Sequence, residues 1–148
     1  MEGFLEYAHD KFLFRVKEGY RYSRDDFWAD IQGDVAVVGI ADFLQKARGD
    51  VAFLETAAPG LTVTAGQEAG KVETIKATFG ILCPVAGTII EVNPALEASP
   101  FLINEDPYGR GWVYKVRLGE GDRGEALLAA DAYLKLMIEK VLAEAAQR

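Results

Sequence analysis

The chain contains very few of the residues that support metal or nucleophilic chemistry. It has one cysteine, Cys83, and one histidine, His9, among 148 residues. A single thiol excludes an intramolecular disulfide and a thiolate metal cluster, and a zinc site would need carboxylates to complete its ligands. The same scarcity excludes most nucleophilic triads. We therefore predict no catalytic residue and no metal site, and expect a protein that is not itself an enzyme.

Long apolar runs and an excess of positive charge are also missing. No run of about eighteen apolar residues occurs, and residues 1–6 lack the basic start and apolar core of a targeting signal. The net charge is −7, which argues against nucleic acid or a membrane as the main partner, because both require clustered lysine and arginine. We expect a cytoplasmic protein whose partners are proteins.

What the chain does contain is the composition of one globular domain, with 50% hydrophobic and 26% charged residues. Residues 12–16 and 28–40 are rich in β-forming residues, with a turn at 32–34, and apolar segments at 51–54 and 61–63 continue the pattern. Frequent turns between short strands predict a small β-barrel or sandwich.

Helical patterns interrupt the strands. Residues 41–48 predict a short helix ended by Gly49, and residues 94–97 predict a single turn before a loop at 104–109. A longer helix is predicted from Glu125 to Ala145, where apolar residues recur at helical spacing: Leu127, Ala130, Leu134, Met137, Ile138 and Val141. Asp122 and Glu125 resemble a capping pair for it. The apolar stripe either packs on the barrel or docks a partner.

The most informative segment is residues 72–77, which read Val-Glu-Thr-Ile-Lys-Ala. The β-prone stretches on both sides predict a hairpin with Lys76 at or near its tip. A lysine exposed in this way can be acylated by a modifying enzyme and can then move the attached group between distant sites. Lys76 is therefore a candidate for covalent cofactor attachment, and the alternative is an ordinary surface lysine.

The order of motifs from residue 72 to residue 116 closely resembles the H protein of the glycine cleavage system, and residues 22–28 and 38–43 resemble its early segments. In that family the lysine of a matching Glu-Ser-Val-Lys-Ala motif carries lipoate in amide linkage. The resemblance implies a mainly β fold, α+β by content, of the barrel-sandwich hybrid type, with a short internal helix and a C-terminal helix. It also implies that Lys76 carries covalent lipoate.

The resemblance suggests how the chain is divided. Residues 1–20 extend beyond the H-protein pattern and are expected to pack on the domain, residues 21–120 form the lipoyl-carrier domain, and residues 121–148 form the C-terminal helix. Biotin carriers usually place methionines beside their lysine, whereas Ile75 precedes Lys76 here, and this favours lipoate. Glu73 matches an acidic position of the motif; it either helps to orient the hairpin toward a lipoate-protein ligase or is an exposed carboxylate without a role.

Some positions depart from the H-protein pattern. Asp26 and Phe27 replace a His-Glu pair. The family's next segment, Gly-Ile-Thr-x-(His/Tyr)-Ala-Gln, reads Gly-Ile-Ala-Asp-Phe-Leu-Gln at residues 39–45, where polar groups have become apolar. Polar contacts would hold an arm loaded with an aminomethyl group, so their loss favours another cargo. Residues 14–26 are similar to the lipoate-binding proteins of sulfur-oxidising prokaryotes. That similarity implies an arm that carries sulfur intermediates and reducing equivalents, with a heterodisulfide-reductase-like complex and a dihydrolipoamide dehydrogenase-type enzyme as partners.

Two alternatives to the sulfur carrier stay open. The chain is an H protein that carries the aminomethyl group between glycine decarboxylase and aminomethyltransferase, or it is a scaffold relative that is never lipoylated. Cys83, where H proteins usually have serine, is either a small buried residue or a thiol that exchanges with the lipoyl sulfurs.

Overall fold

Short strands dominate the computed structural model, which describes residues 2–121 and 123–147. The strands are β1 Phe4–His9, β2 Phe12–Lys17, β3 Arg21–Tyr22, β4 Phe27–Gln32, β5 Val35–Ile40, β6 Val51–Thr56, β7 Thr62–Val63, β8 Glu68–Thr74, β9 Thr78–Leu82, β10 Gly87–Val92 and β11 Tyr114–Leu118. The helices are α1 Asp42–Arg48, α2 Ala95–Ala98, α3 Leu102–Glu105 and α4 Ala130–Ala146. Within the described ranges, no helix has the length and apolar character needed to cross a membrane.

The strands form three antiparallel sheets. The largest has the order β3-β4-β5-β11-β10-β7, the second has the order β6-β8-β9, and β1 pairs only with β2. The main core contains Val38, Val72, Ile89 and Val116, which are almost completely buried. Two sheets therefore share one apolar interior, and the predicted combination of a mainly β domain with a short internal helix and a C-terminal helix is observed.

The N-terminal hairpin, β1 and β2, is more extensive than the sequence pattern indicated. Only the segment that became β2 was predicted to be a strand. β1 pairs with it from Phe4 opposite Lys17 to His9 opposite Phe12. The sequence of β1, Phe-Leu-Glu-Tyr-Ala-His, does not alternate strictly between apolar and polar residues. Pairing with β2 supplies the backbone hydrogen bonds that define the strand.

Helix α3 replaces the first part of the loop that was predicted at residues 104–109. Leu102 and Ile103 are buried in the main core, and the amide of Asp106 donates to the carbonyl of Leu102 at 2.8 Å. The loop prediction was therefore wrong for this turn. Burial of two apolar side chains stabilises a helical turn that is too short to be recognised from periodicity.

The C-terminal helix begins at Ala130 and not at Glu125. Leu128 forms two backbone hydrogen bonds with Tyr22, at 2.8 and 2.9 Å, so the chain is still extended just before the helix. The proposed capping pair includes Asp122, which lies outside the described residues. Tyr133 and Met137 of α4 are fully buried against the domain, which favours packing over partner docking for this face.

Asp26 fastens α4 to the domain. Its carboxylate accepts hydrogen bonds from the Tyr133 hydroxyl at 2.8 Å and from Lys140 Nζ at 2.9 Å. Burial, reinforced by the Asp26 charge, raises the pKa of Tyr133 well above its usual value. The hydroxyl therefore remains a donor at neutral pH.

Removing this hydroxyl should weaken the attachment of the helix. We expect Tyr133→Phe to lower the free energy of unfolding by about 1.5–3 kcal/mol, because a hydrogen bond to a buried carboxylate is lost. Urea denaturation followed by circular dichroism measures the change. Lys135→Ala, on the exposed side of the same helix, should change stability by less than about 0.5 kcal/mol. Equal stabilities of Tyr133→Phe and the native protein would show that the contact contributes nothing.

Candidate functional site

The predicted hairpin around Lys76 is formed by β8 and β9. Glu73 pairs with Thr78, and residues 75–77 form the connecting loop. The Ile75 side chain is 76% exposed, and Lys76 is exposed beside it. The structure therefore places the lysine at the hairpin tip, where a modifying enzyme has access to its amine.

Thr74 holds this loop in place, a role that the sequence analysis did not identify. Its hydroxyl oxygen accepts hydrogen bonds from the amides of Lys76 at 3.3 Å and Ala77 at 3.0 Å. The same hydroxyl donates to the carbonyl of Arg48 at 2.7 Å. Short hydroxyl side chains often satisfy turn backbone groups in this way, and the threonine two residues before the lysine was the available signal.

The Lys76 side chain packs against the C-terminal end of α1. A Cβ at Gly49 would lie 3.3 Å from Lys76 Cγ and 3.4 Å from its Cδ, so the aliphatic stem passes directly over this glycine. Asn104 holds the same junction by donating to the Gly49 carbonyl at 3.2 Å and accepting from the Val51 amide at 2.9 Å. The aliphatic part of Lys76 therefore packs on a junction that is itself held by hydrogen bonds.

The chemistry of Lys76 fits an acylated amine. Among the residues described, no acidic side chain lies within ion-pair distance of its Nζ. An amine without a carboxylate partner loses no ion pair when an amide replaces it. Exposure, a supported stem and this lack of a partner together suit a covalent lipoyl group.

A cleft of about 520 Å³ opens beside the lysine. Lys76 forms one part of its lining, and Phe43, Lys46 and Ala47 of α1 form another. Residues of β2 and of the end of α4 complete the walls. The hairpin tip therefore faces a concave surface on its own domain.

The residues that depart from the H-protein pattern do not all lie at this cleft. Asp26 binds α4, as described above, and Phe27 and Leu44 belong to the main core. Only Phe43 lines the cleft. The argument that polar contacts to a loaded arm are lost therefore holds for Phe43 at most, and the inference of a sulfur cargo loses most of its basis.

Cys83 is completely buried in the main core, and its Sγ donates to the Val85 carbonyl at 3.2 Å. Burial raises the pKa of the thiol. Since the thiolate is the form that exchanges with disulfides, the structure favours the packing role over exchange with lipoyl sulfurs.

This burial gives a direct expectation for reactivity. Native protein at neutral pH should be alkylated by iodoacetamide at Cys83 at least about tenfold more slowly than urea-unfolded protein, because the thiol is inaccessible and protonated. Mass spectrometry of timed samples follows the reaction. Similar rates in the native and unfolded states would restore the exchange hypothesis.

Comparison with known proteins points to one family. The glycine cleavage H-protein family matches residues 20–140. A glycine cleavage system H protein from Carboxydothermus hydrogenoformans is 39% identical over 125 residues, which cover 84% of this chain and 96% of that protein. One from Rubrobacter xylanophilus is 44% identical over 128 residues, covering 86% and 99% respectively.

A solved structure agrees with these relatives. The crystal structure of a glycine cleavage system H protein from Mycobacterium marinum superposes with a TM-score of 0.71 at 36% identity, and the match covers 81% of this chain and 97% of that one. The barrel-sandwich fold predicted from the sequence is thereby confirmed. The chain belongs to the glycine cleavage H-protein family.

Membership of this family defines the class of protein. Glycine cleavage H proteins are non-catalytic carriers with lipoate covalently attached to a lysine, so the predictions of a lipoyl carrier and of a protein that is not an enzyme are confirmed. The relatives support the glycine cleavage alternative better than the sulfur-oxidation reading, which these comparisons do not support.

Proposed function

We propose that Lys76 carries lipoate in amide linkage and that the chain is the aminomethyl carrier of a glycine cleavage system. The observation that supports this most strongly is the exposed, unpaired Lys76 at the tip of the β8–β9 hairpin, within the residues that match the H-protein family. A carrier requires an attachment point that several enzymes can reach in turn, and this loop offers one.

The lipoyl group supplies a strained disulfide that accepts two electrons and two protons, or a transferred group on one sulfur. The protein chain holds the attachment point of the lipoyl group in place. Thr74 holds the loop on the end of α1 through its bond to Arg48, and Gly49 leaves room for the Lys76 stem. The attachment point therefore stays fixed relative to the domain while the atoms beyond it move.

The proposed partners follow from this role. They are a lipoate-protein ligase for attachment, glycine decarboxylase and aminomethyltransferase for loading and unloading, and a dihydrolipoamide dehydrogenase-type enzyme for reoxidation. Glu73 is exposed on β8 three residues before Lys76 and is available for contact with the ligase. The cytoplasmic location and the division into residues 1–20, 21–120 and 121–148 remain predictions.

The cargo is tested by offering the lipoylated chain to two enzyme systems. One receives glycine decarboxylase with glycine, and the other receives a heterodisulfide-reductase-like complex with a sulfur donor. Intact mass spectrometry then reports whether the arm gains an aminomethyl group or sulfur, and chain that has not been lipoylated serves as the control.

We expect a gain of the aminomethyl mass with glycine decarboxylase and no change with the other complex. Loading by sulfur alone would instead establish the sulfur-carrier alternative. A chain that is lipoylated but unchanged in both systems would refute carriage of either cargo.

A further inference from the structure

The tip of the β8–β9 hairpin is bonded to the junction between α1 and β6 at two points. The Thr74 hydroxyl donates to the Arg48 carbonyl at 2.7 Å, and the Ile75 amide donates to the Asp50 carbonyl at 3.1 Å. Pairing of β8 with β9 fixes the tip relative to its own strands only. These two bonds fix it relative to α1, and they therefore set the direction from which Lys76 leaves the domain.

The junction that receives the tip is itself held by buried polar side chains. Asn104, which donates to the Gly49 carbonyl, also donates to Gln45 Oε1 at 2.9 Å. Gln45 in turn donates to Asp42 Oδ1 at 2.8 Å, and both Gln45 and Asp42 are buried. Buried hydrogen bonds of this kind are costly to break, so the junction is a fixed platform for the tip.

The Thr74 hydroxyl is used to its full capacity at this contact. A hydroxyl has one proton to donate and two lone pairs that accept. Thr74 donates to Arg48 and accepts from the amides of Lys76 and Ala77. The Ala77 carbonyl, at 3.1 Å, is a longer alternative acceptor. One oxygen atom thus joins the backbone around the lysine to the end of α1.

We propose that Thr74 is a positioning residue for the acylation of Lys76, because its hydroxyl holds the hairpin tip in the orientation that a lipoate-protein ligase binds. The inference rests on the proposed attachment at Lys76. The ligase supplies lipoate as an acyl adenylate made with ATP. The neutral Lys76 amine attacks the acyl carbon, a C–N bond forms, the C–O bond to AMP breaks with AMP leaving, and the nitrogen gives up a proton to water.

Thr74 acts on this reaction only through the backbone. Its hydroxyl bonds to main-chain groups, whereas the reacting amine lies at the far end of the Lys76 side chain. A tip released from α1 has to dock again before the ligase can bind it, so the apparent affinity falls by the fraction of molecules that are docked. The complex that then forms is the same. Loss of the hydroxyl should therefore raise KM for the protein and leave kcat unchanged.

The test measures initial rates of lipoylation over a range of concentrations of the unmodified chain. A lipoate-protein ligase, lipoate and ATP are supplied, and intact mass spectrometry counts the lipoyl groups. Thr74→Val and Thr74→Ala both remove the hydroxyl, and the valine keeps the shape of the side chain. Thr74→Ser retains the hydroxyl. Circular dichroism establishes that each variant is folded.

Two controls separate positioning from other effects. Gly66→Ala introduces strain at φ +86° where a Cβ meets no atom within 4 Å, so it lowers stability without touching the tip. Acetylation by a small N-hydroxysuccinimide ester, followed at Lys76 by peptide mass spectrometry, reports the exposure and reactivity of the amine alone. That rate should be equal in the native chain and in Thr74→Val, because a small reagent has no need of a docked tip.

We expect KM for the protein to rise about five- to tenfold in Thr74→Val and Thr74→Ala, with kcat within about twofold of the native value, since a hydrogen bond of ordinary strength is lost. Thr74→Ser and Gly66→Ala should match the native chain.

An unchanged KM in Thr74→Val, or an equal rise in Gly66→Ala, would overturn the positioning role. A fall in kcat alone, or slower chemical acetylation of Lys76, would overturn it as well, because the hydroxyl would then act on the reaction or on the exposure of the amine. Failure of the ligase to modify Lys76 in the native chain would instead refute the attachment site.

Discussion

The Lys76→Arg variant is expected to gain no lipoyl mass when it is produced in a host with active lipoate attachment, whereas the native chain is modified. Acylation requires a neutral amine, and the arginine guanidinium remains protonated at all accessible pH values. The positive charge and much of the stem are retained, so the hairpin should fold unchanged. Intact mass spectrometry measures the result.

Lys71→Arg is the appropriate control for this experiment. Lys71 is an exposed lysine on β8, in the same hairpin as Lys76, so its replacement tests whether any nearby lysine accepts the group. Full modification of Lys71→Arg and none of Lys76→Arg would identify the attachment site. Lipoylation that persists in Lys76→Arg would show that another lysine is used, and a native chain without added mass would support the scaffold alternative.

Gly70→Ala should be strongly destabilising, with an expected loss of about 3–5 kcal/mol in the free energy of unfolding. Gly70 has φ of +103°, a conformation that alanine adopts only with strain. A Cβ there would lie 2.4 Å from the Glu55 carbonyl oxygen and 3.0 Å from the Tyr114 hydroxyl. The backbone carbonyl belongs to the neighbouring strand β6, so relief of the clash would separate the two strands.

Gly66→Ala separates backbone strain from steric overlap. Gly66 has φ of +86°, but a Cβ at this position would meet no atom within 4 Å. We expect a loss of only about 1–2 kcal/mol for Gly66→Ala, because strain acts alone. Urea denaturation of both variants measures the difference. Equal losses would show that β6 moves away from Gly70 at little cost.

The cargo illustrates how a substitution pattern can mislead. Phe27 and Phe43 replace polar residues of the H-protein pattern and Leu44 is a larger apolar residue beside Phe43, and in the sequence these departures carry equal weight. In the structure, Phe27 and Leu44 are core residues, and Phe43 alone lines the cleft beside the lysine. Loss of polarity in a core improves burial and does not report on a ligand.

Local patterns predicted most of the secondary structure. The β4–β5 hairpin, α1, β6 and α2 follow from alternation, turn residues and short helical spacing. The errors occur in elements whose bounds are set by contacts with residues distant in the sequence. β1 needs β2 as its partner, α3 depends on burial of Leu102 and Ile103, and α4 starts late because Leu128 bonds to Tyr22.

The candidate site also has one part that was predicted from local sequence and another that depends on tertiary contacts. The motif around Lys76 identified the candidate attachment point, because its residue order is local and specific. Thr74, Gly49 and Asn104 support that point through hydrogen bonds and packing between separate elements. Gly49 was predicted only as the end of a helix, and threonine and asparagine are common in turns for many reasons. Local patterns therefore did not assign these three residues the role of supporting the lysine.

The sequence by itself determined that the protein resembles a lipoyl carrier of mainly β structure with one strong candidate lysine. Hydrophobic alternation and a contiguous motif both depend on residues that are neighbours in the chain, so they can be recognised without the structure. Only the tertiary structure decided what surrounds that lysine. Phe12, Phe43 and Glu144 are far apart in the chain and line one cleft, because the N-terminal hairpin and α4 pack on the domain through buried aromatic side chains. Contacts of this kind depend on how the elements assemble, and no single segment encodes them.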